Sequence, residues 1–578
     1  MNWQTEVEKW KRFDGLEREL KEELEQLEAD PKALEDSFYT HLTFGTGGMR
    51  GEIGPGPNRM NTYTVRKAAE GLARYIDQAG TEAKERGVVI AYDSRRKSPE
   101  FASEAARTLG AHGIRVYLFE SLRSTPELSF AVRYLHAFSG IVITASHNPS
   151  EYNGFKVYGE DGAQVTGDAA DAIVAQVNSV EDELIIEAAD EAGLKADGTL
   201  TVIGSQVDEA YMRALQSVVV NPDVIKKAAP DFRIVYTPLH GTGNVPVRSG
   251  LEAAGFIHID VVAEQEKPDG RFPTVRYPNP EEHAAFELAI RDGERLDADV
   301  LLATDPDTDR VGVAARDGSG RFEVLTGNQV GALLLHYLIT ENKKQGTLPE
   351  QAVMLKTIVT SEMGEAIAAA HGVKTVNVLT GFKYIAEKIR SFEETGTGRF
   401  LFGYEESYGY LIKDFVRDKD AIQTCLLIAE AAAAFSLRGM TLFDGLQELY
   451  GEYGFYREGL ESLTLKGKDG SGKIARILAD FREQPPSEFS GEPVTVIEDY
   501  ASGTRTILAE GREEAIALPE SNVLKYRLAG DSWVCLRPSG TEPKMKFYFG
   551  VKGESAEAAD RKLDRLKEAV MARVRSLI

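Results

Sequence analysis

The chain has little of what secretion, membrane insertion or nucleic-acid binding requires. Two cysteines, Cys425 and Cys535, stand among 578 residues, too few for a disulfide framework, so a reducing cytoplasm is the expected setting. No apolar run is long enough to span a bilayer: the longest, Cys425–Leu437, is short and carries Glu430. The N-terminal stretch MNWQTEVEKWKRFDGLEREL is charged throughout and lacks the apolar core of a signal peptide. Positive charge is also scarce. Lys and Arg number 67 against 91 Asp and Glu, a net charge of −24, which argues against nucleic acid and anionic membranes as partners. An anionic substrate would therefore need cations gathered locally.

What remains is an ordinary globular composition, 42% hydrophobic and 27% charged, over a length that calls for several domains. Trp3, Val7, Trp10, Phe13, Leu16, Leu20, Leu24 and Leu27 recur every three or four residues and predict one long amphipathic helix. Asp30-Pro31 caps a second helix running to about Leu42. Phe44–Asn61, rich in Gly and Pro, reads as a loop rather than a helix or strand. Beyond it, helical and strand patterns alternate: a helix at Val65–Gly80, a strand at Val88–Tyr92, a helix at Ser98–Gly110 and a strand at Arg115–Phe119. That spacing predicts a parallel α/β sheet. It recurs twice, with strands at Phe232–Tyr236, His258–Ala263 and Asp299–Ala303, then at Ala352–Ile358, Thr375–Val378 and Arg399–Phe402, closed by an Ala-rich helix over Ala421–Leu437. Gly467–Gly491 reads as a linker. Alternating strands at Trp533–Leu536 and Lys544–Phe549 and a final amphipathic helix make a small α+β domain.

Four stretches carry chemistry. Ile141-Val142-Ile143 is a strand that breaks at Thr144-Ala145-Ser146-His147-Asn148-Pro149, leaving a serine hydroxyl where open α/β sheets bind ligands. Asp305-Pro306-Asp307-Thr308-Asp309-Arg310 follows a buried strand. Three carboxylates so close repel one another unless a hard divalent cation joins them. An EF-hand is excluded, because its glycine position is Arg310 and its final acid position is Arg316. Gly403–Tyr410, with Leu379–Lys383, offers Glu405, Glu406 and Ser407 for hydrogen bonds to hydroxyls. Arg537-Pro538-Ser539-Gly540-Thr541-Glu542-Pro543-Lys544 gathers cationic, hydroxyl and backbone donors suited to a phosphate. Each alone is an ordinary polar turn. Together, a metal loop beside a serine, with cations elsewhere, suits phosphoryl transfer, and a phosphoserine is a far better metal ligand than a hydroxyl.

Two competing signals are weak. Gly467–Lys473 spells most of a Walker A loop, but Ile474 stands where Ser or Thr must hold Mg²⁺. Ser146-His147 is not read as a hydrolase dyad: no G-x-S-x-G surrounds it, and neighbours in extended chain point to opposite sides.

Thr144–Pro149 with Asn153–Lys156, Asp305–Arg310, Gly403–Ser407 and Arg537–Lys544 resemble, in order, the four signature loops of the α-D-phosphohexomutases. The N-terminal arm and the loop GTGGMRGEIGPGPNRMN are similar to the bacterial phosphoglucomutase subgroup with a helical extension. The resemblance implies three tandem α/β domains with mixed sheets and a smaller C-terminal α+β domain around one central cleft. The expected limits are a helical extension at 1–43, domains at 44–206, 207–321 and 322–460, a linker at 461–490 and a last domain at 491–578. It implies that Ser146 is the phosphoserine and binds Mg²⁺ with Asp305, Asp307 and Asp309. Arg50 and Lys156 would flank the transferring group, with Lys156 a candidate general acid. His147, Arg310, Lys383, Glu405 and Ser407 would meet substrate, and Arg537, Ser539, Gly540, Thr541 and Lys544 would clamp its other phosphate. The implied activity interconverts glucose 1-phosphate and glucose 6-phosphate through glucose 1,6-bisphosphate, with sugar phosphates as the partners. Phosphomannomutase and phosphopentomutase activities stay open, as, from other classes, do a P-loop kinase and a non-catalytic sugar-phosphate sensor. Oligomeric state is not read. One departure stands out: many relatives carry a histidine in the third loop, whereas Glu405-Glu406-Ser407-Tyr408-Gly409-Tyr410 has none, which leaves the base of the reverse half-step unassigned. Arg95 and Lys419 lie in polar stretches, DSRRKS and RDKDA, and receive no role.

Overall fold

The computed structural model describes residues 2–45, 47–465, 468–538 and 544–578. The chain falls into two compact units. The first comprises Met1–Leu325, Ala386–Gly396 and Tyr408–Thr441, and the second Thr326–Ile385, Thr397–Ser407 and Leu442–Ile578.

The first unit opens with an arm. The periodic run does not make one helix: it breaks into Trp3–Arg12 and Arg18–Leu27. Phe13 leaves the helix to meet Tyr63 edge-on at 5.8 Å, and the Gly15 carbonyl accepts the Tyr63 hydroxyl at 2.8 Å. A tertiary contact thus overrides the helical period. Asp30 caps the next helix as expected, through Lys32 and Ala33 N–H, but that helix ends at Phe38. Trp10, fully buried, lies edge-on to Phe38 and Tyr63 at 5.7 and 5.5 Å, fastening the arm to the helix Thr62–Ala79.

The first sheet has six strands: β1 (Gly48–Glu52), β2 (Val88–Tyr92), β3 (Val116–Phe119), β4 (Ser139–Ile143), β5 (Tyr152–Gly159) and β6 (Leu200–Ile203), in the order β1-β5-β4-β2-β3-β6. Strand β1 corrects the reading of Phe44–Asn61 as loop only. Its partner β5 supplies the signal that local glycine content hid, with Arg50 opposite Gly154. A Cβ on Gly154 would stand 2.6 Å from the Thr144 carbonyl and 2.8 Å from that of Met49, so only glycine lets β5 sit between its neighbours. β2, β4, β3 and β6 run parallel, and β5 antiparallel to β4. The sheet is mixed.

The second sheet holds β7 (Arg233–Thr237), β8 (His258–Val261), β9 (Val300–Thr304), β10 (Val311–Arg316) and β11 (Phe322–Leu325), ordered β11-β10-β9-β7-β8. The fully buried β9 delivers the Asp loop at its carboxyl end. The Ala-rich helix Ala421–Ser436 packs against the helices Asn244–Ala254 and Pro222–Ala228 of this region instead of closing the third α/β unit. Its apolar surface runs all round, so periodicity gave no hint of its partner.

In the second unit, β12 (Ala352–Thr357) lies parallel to both β13 (Lys374–Val378) and β14 (Arg399–Glu405). The C-terminal sheet runs from Phe455–Thr464 through Lys544–Gly553, Trp533–Pro538, Leu524–Leu528 and Glu492–Asp499 to Thr504–Ile507 and Arg512–Ala515. The helix Ala556–Leu577 covers it with Leu566, Val570 and Val574. The expected linker is not one. Residues before it pair as a ten-residue strand with Lys544–Gly553, and Lys468–Glu483 is a helix whose Ile477, Leu478 and Phe481 enter the C-terminal core. Its glycines masked that apolar stripe.

Candidate active site

Ser146 follows β4 directly, and the backbone there is unusual. Its φ is +51°, left-handed for a residue with a side chain, a conformation that persists only when neighbours impose it. The Ser146 N–H donates to Thr144 Oγ1 at 2.8 Å, and that hydroxyl donates to the buried Asp93 at 2.6 Å. Arg95, wholly buried, reaches the carbonyls of Ser146, Asn148, Pro149 and Tyr152. Its guanidinium lies 3.4 Å from Asp93 and 4.9 Å from the ring centroid of Phe272. Burial lowers the pKa of Arg95 to about 10, with Asp93 working against that fall, so the group stays charged. One buried cation therefore shapes the whole turn.

The turn aims Ser146 Oγ at Asp305, whose Oδ2 accepts its hydrogen bond at 2.6 Å. Asp305 Oδ1 accepts from the N–H groups of Asp309 and Arg310 at 3.1 and 3.0 Å, curling the loop on itself. Thr125, at the first turn of the helix Thr125–Tyr134, donates its hydroxyl to Asp307 Oδ2 at 2.9 Å and its N–H to the Asp307 carbonyl. The left-handed Thr308 is tied to Thr242 at 2.7 Å.

The three carboxylates are buried and can each offer an oxygen within 4.8 Å of the others. Asp307 Oδ1 and Asp309 Oδ1 have no hydrogen-bond partner among the described residues. Buried carboxylate oxygens without donors are costly, and three converging on one point fit a hard divalent cation. The electrostatics agree. Burial, then repulsion from Asp307 and Asp309, pushes the Asp305 carboxyl well above the carboxylate range. Burial acts the same way on Asp307, but Lys156 together with the hydrogen bonds of Asp305 and Thr125 outweighs it and holds Asp307 ionised.

Cations ring this centre. Lys156 Nζ stands 3.1 Å from Asp307 and 3.8 Å from Asp309. Lys419 Nζ is 3.0 Å from both Asp309 and Asp418. Asp418 in turn accepts from the buried Tyr158 hydroxyl at 2.7 Å. Arg310 pairs with Glu281, and Arg50 donates to Asn148 Oδ1 at 2.9 Å. Four cations are therefore gathered locally in a chain that is acidic overall.

Ser146, His147, Lys156, Arg50, Asp305, Asp307, Asp309 and Arg310 are thus gathered in the first unit. Contrary to the expectation from extended chain, His147 faces the serine, with its Nδ1 3.2 Å from Ser146 Oγ. The left-handed Ser146 reverses the direction. Burial, then Arg310 and Arg50, lowers the His147 pKa well below normal, leaving a neutral ring. The hydroxyl's shorter bond goes to Asp305, so no hydrolase dyad results. In the second unit, Glu405 accepts from Gly381 N–H at 2.9 Å, joining the third signature loop to the Leu379–Lys383 stretch, and Lys383 Nζ lies over the Tyr384 ring. Arg537 and Lys544 sit in adjacent C-terminal strands. Ser539, Gly540 and Thr541 lie outside the described residues. Sequence reading missed Arg95 and Lys419. A lone cation in a polar run gives no local signal of burial or of a partner 110 residues away.

Models described as phosphoglucomutase/phosphomannomutase alpha/beta/alpha domains I, II and III match residues 41–184, 209–318 and 326–453, and the C-terminal domain model matches 505–568. A curated phosphoglucomutase of Staphylococcus epidermidis is 40% identical over 530 residues, covering 92% of this chain and 94% of that protein. Among solved structures, a phosphoglucomutase/phosphomannomutase family protein of Burkholderia thailandensis superposes with a TM-score of 0.64 at 19% identity, over 93% of this chain and 97% of that one. The phosphoprotein pp63/parafusin of Paramecium, a phosphoglucomutase in its open form, gives 0.67 at 16% identity, over 93% and 96%. At such identities these two speak for the fold.

Proposed function

The chain belongs to the phosphoglucomutase/phosphomannomutase family, and we propose that it interconverts α-D-glucose 1-phosphate and glucose 6-phosphate by way of a phosphorylated Ser146. The observation that carries this reading is the Ser146 hydroxyl, held 2.6 Å from the first of three buried aspartates with lysines on the other two. The 40% identity to a phosphoglucomutase over nearly the whole chain supports the substrate.

In this reading the phosphoryl group leaves Ser146 Oγ as the bond to the 6-oxygen of glucose 1-phosphate forms, giving glucose 1,6-bisphosphate. The sugar reorients, its 1-phosphate returns to Oγ, and glucose 6-phosphate departs. Asp305, Asp307 and Asp309, with the phosphoserine, would hold Mg²⁺, which when bound neutralises charge on the transferring group. Lys156 donates a proton to Oγ as it leaves. Lys419, an ammonium held between Asp309 and Asp418, adds positive charge beside the transferring group and is not the base that the missing histidine leaves open. Arg95 fixes the direction of Oγ, and Arg50 and Arg310 steady the phosphoryl oxygens. His147 orients the serine and meets substrate as a neutral ring. By family resemblance, Lys383, Glu405 and Ser407 bind sugar hydroxyls, and Arg537, Ser539, Gly540, Thr541 and Lys544 bind the non-reacting phosphate. No described helix is long and apolar enough to cross a membrane. We hold to a cytoplasmic location, with sugar phosphates rather than nucleic acid or lipid surfaces as partners. A P-loop kinase finds no support, since the Walker-like stretch is helical from Lys468.

Mass spectrometry of the purified protein is expected to find phosphate on Ser146, and Ser146→Ala to lose mutase activity. A fully active Ser146→Ala variant without phosphate would end the reading. Coupled assays on glucose, mannose and ribose 1-phosphates decide the sugar.

A further inference from the structure

The second unit contains a charge cluster that the reaction does not use. Lys356 on β12 and Lys525 on Leu524–Leu528 are fully buried and share Glu362, at 3.0 and 3.3 Å. Arg527 lies 3.7 Å from Glu362 and 3.4 Å from the buried Glu498, and Arg505 lies 2.7 Å from Glu498. Four cations thus gather around Glu362 and Glu498. Glu514 reaches Arg505 only at 4.0 Å and pairs more closely with Arg512, at 2.9 Å. Burial and its hydrogen bond with Glu362 push the Glu365 carboxyl upward. Burial and the neighbouring Arg527 and Lys356 bring Lys525 down to about 8, with Glu362 opposing them. Lys356 and Lys525 are buried, Arg505 and Arg527 partly exposed, and together they turn positive charge toward one place where an anion can join them.

Space for an anion is present. A cavity of about 280 Å³ opens beside the cluster, and Arg505, Lys525, Arg527 and Glu498 line it. Its other wall is Ile358, Ile516 and Leu518, with Asn377 at one side. Asn377 Oδ1 is buried and has no hydrogen-bond partner among the described residues, so the wall offers one acceptor to a ligand's donor. Convergent cations, a lone acceptor and an apolar wall describe a site for a small organic anion. Two guanidiniums offer the forked geometry that suits phosphate oxygens.

We propose that this cavity binds a small phosphate monoester carrying a hydroxyl group, with Arg505, Arg527 and Lys525 on the phosphate and Asn377 accepting from the hydroxyl. None of these residues belongs to the catalytic loops, and the proposal does not depend on the mutase reading. Occupation would tie the segment after β12 and β13 to the C-terminal sheet and stabilise it by mass action.

Trp533 gives a local reporter, since its ring centroid lies 4.5 Å from Lys525 Nζ. The chain has three tryptophans, so Trp3→Phe with Trp10→Phe leaves Trp533 alone. Titration with inorganic phosphate and with glycerol 3-phosphate, at constant ionic strength, is expected to change its fluorescence saturably, with the ester binding more tightly and glycerol without effect. Arg505→Ser with Arg527→Ser should weaken that response at least tenfold while leaving mutase turnover intact. Should the tryptophan variant fold poorly, hydrogen exchange on the unaltered protein makes the same measurement: glycerol 3-phosphate should protect Leu524–Leu528 in the wild type and not in the double arginine variant. Protection confined to residues 144–156 and 305–310, or an equal response in the arginine variant, would overturn the proposal and leave the catalytic assignment untouched.

Discussion

Replacing Arg95 by Met keeps the length of the stem and removes the cation that shapes the serine turn. Four carbonyl oxygens, those of Ser146, Asn148, Pro149 and Tyr152, lose a charged donor, and Asp93 is left buried without its partner. Breaking one partner out of a buried pair costs about 3–5 kcal/mol. The loss is local, because Arg95 contacts the turn and the loop of Phe272 rather than the cores of the two sheets. The turn should therefore open on its own. At about 3 kcal/mol its amide exchange quickens roughly a hundredfold, since each ~1.4 kcal/mol is a factor of ten. Catalysis should suffer through geometry. Ser146 would relax from its left-handed backbone, and a displacement on the order of 1 Å at a reacting atom costs about a hundredfold in rate. The assay pairs exchange mass spectrometry over residues 144–152 with kcat and KM. The expectation is fast exchange and a low kcat at nearly unchanged KM. Arg95→Lys, which keeps the charge but cannot span the carbonyls, should fall between. Exchange within threefold of wild type, or an unchanged kcat, would refute the reasoning.

Other consequences are simpler to measure. Lys419→Met should lower kcat by about 10²- to 10³-fold, the range for losing one preorganised electrostatic donor, and leave KM near its wild-type value; an equal loss in Lys413→Met, at a neighbouring lysine outside the Asp cluster, would point to folding instead. Millimolar Mg²⁺ should raise the thermal midpoint of the wild type, by an increment near 2.7 kcal/mol at a hundredfold excess over Kd, and Asp307→Asn should abolish that rise. His112 lies 2.8 Å from both Glu70 and Asp77, and the hydrogen bond to Glu70 raises its pKa above the usual value. A raised histidine pKa contributes stability that is complete below the unfolded value near 6.5 and vanishes as pH rises through the folded value. His112→Gln should therefore cost about 1 kcal/mol more at pH 6 than at pH 9. Trp10→Ala removes the ring buried between Phe38 and Tyr63, a loss of about 3–5 kcal/mol, and should expose the arm to protease while mutase activity persists.

These perturbations separate what a linear sequence discloses from what it conceals. The serine and aspartate loops were legible because each follows a short apolar run that ends sharply, and both β4 and β9 are fully buried as such runs require. The chemistry of three aspartates at alternate positions is local too, since their mutual repulsion exists in any fold that turns them inward. Elements that depend on distant partners were not legible. Strand β1 sits in a glycine-rich stretch and exists because β5 pairs with it. The break at Phe13 follows from Tyr63, and the helix Lys468–Glu483 reads as a linker until the core that receives Phe481 is known. The same division runs through the site. His147 faces the serine hydroxyl only because Ser146 is left-handed, and Ser146 is left-handed only while Arg95 grips the carbonyls that follow it. Arg95 and Lys419 act through partners 51 and 110 residues away, at Ser146 and Asp309 respectively. A cation's role is set by what it compensates, and a buried counter-charge is a property of the fold. For that reason the reacting groups of this enzyme announce themselves in short motifs, whereas the residues that aim and charge them appear only when the sheets are assembled.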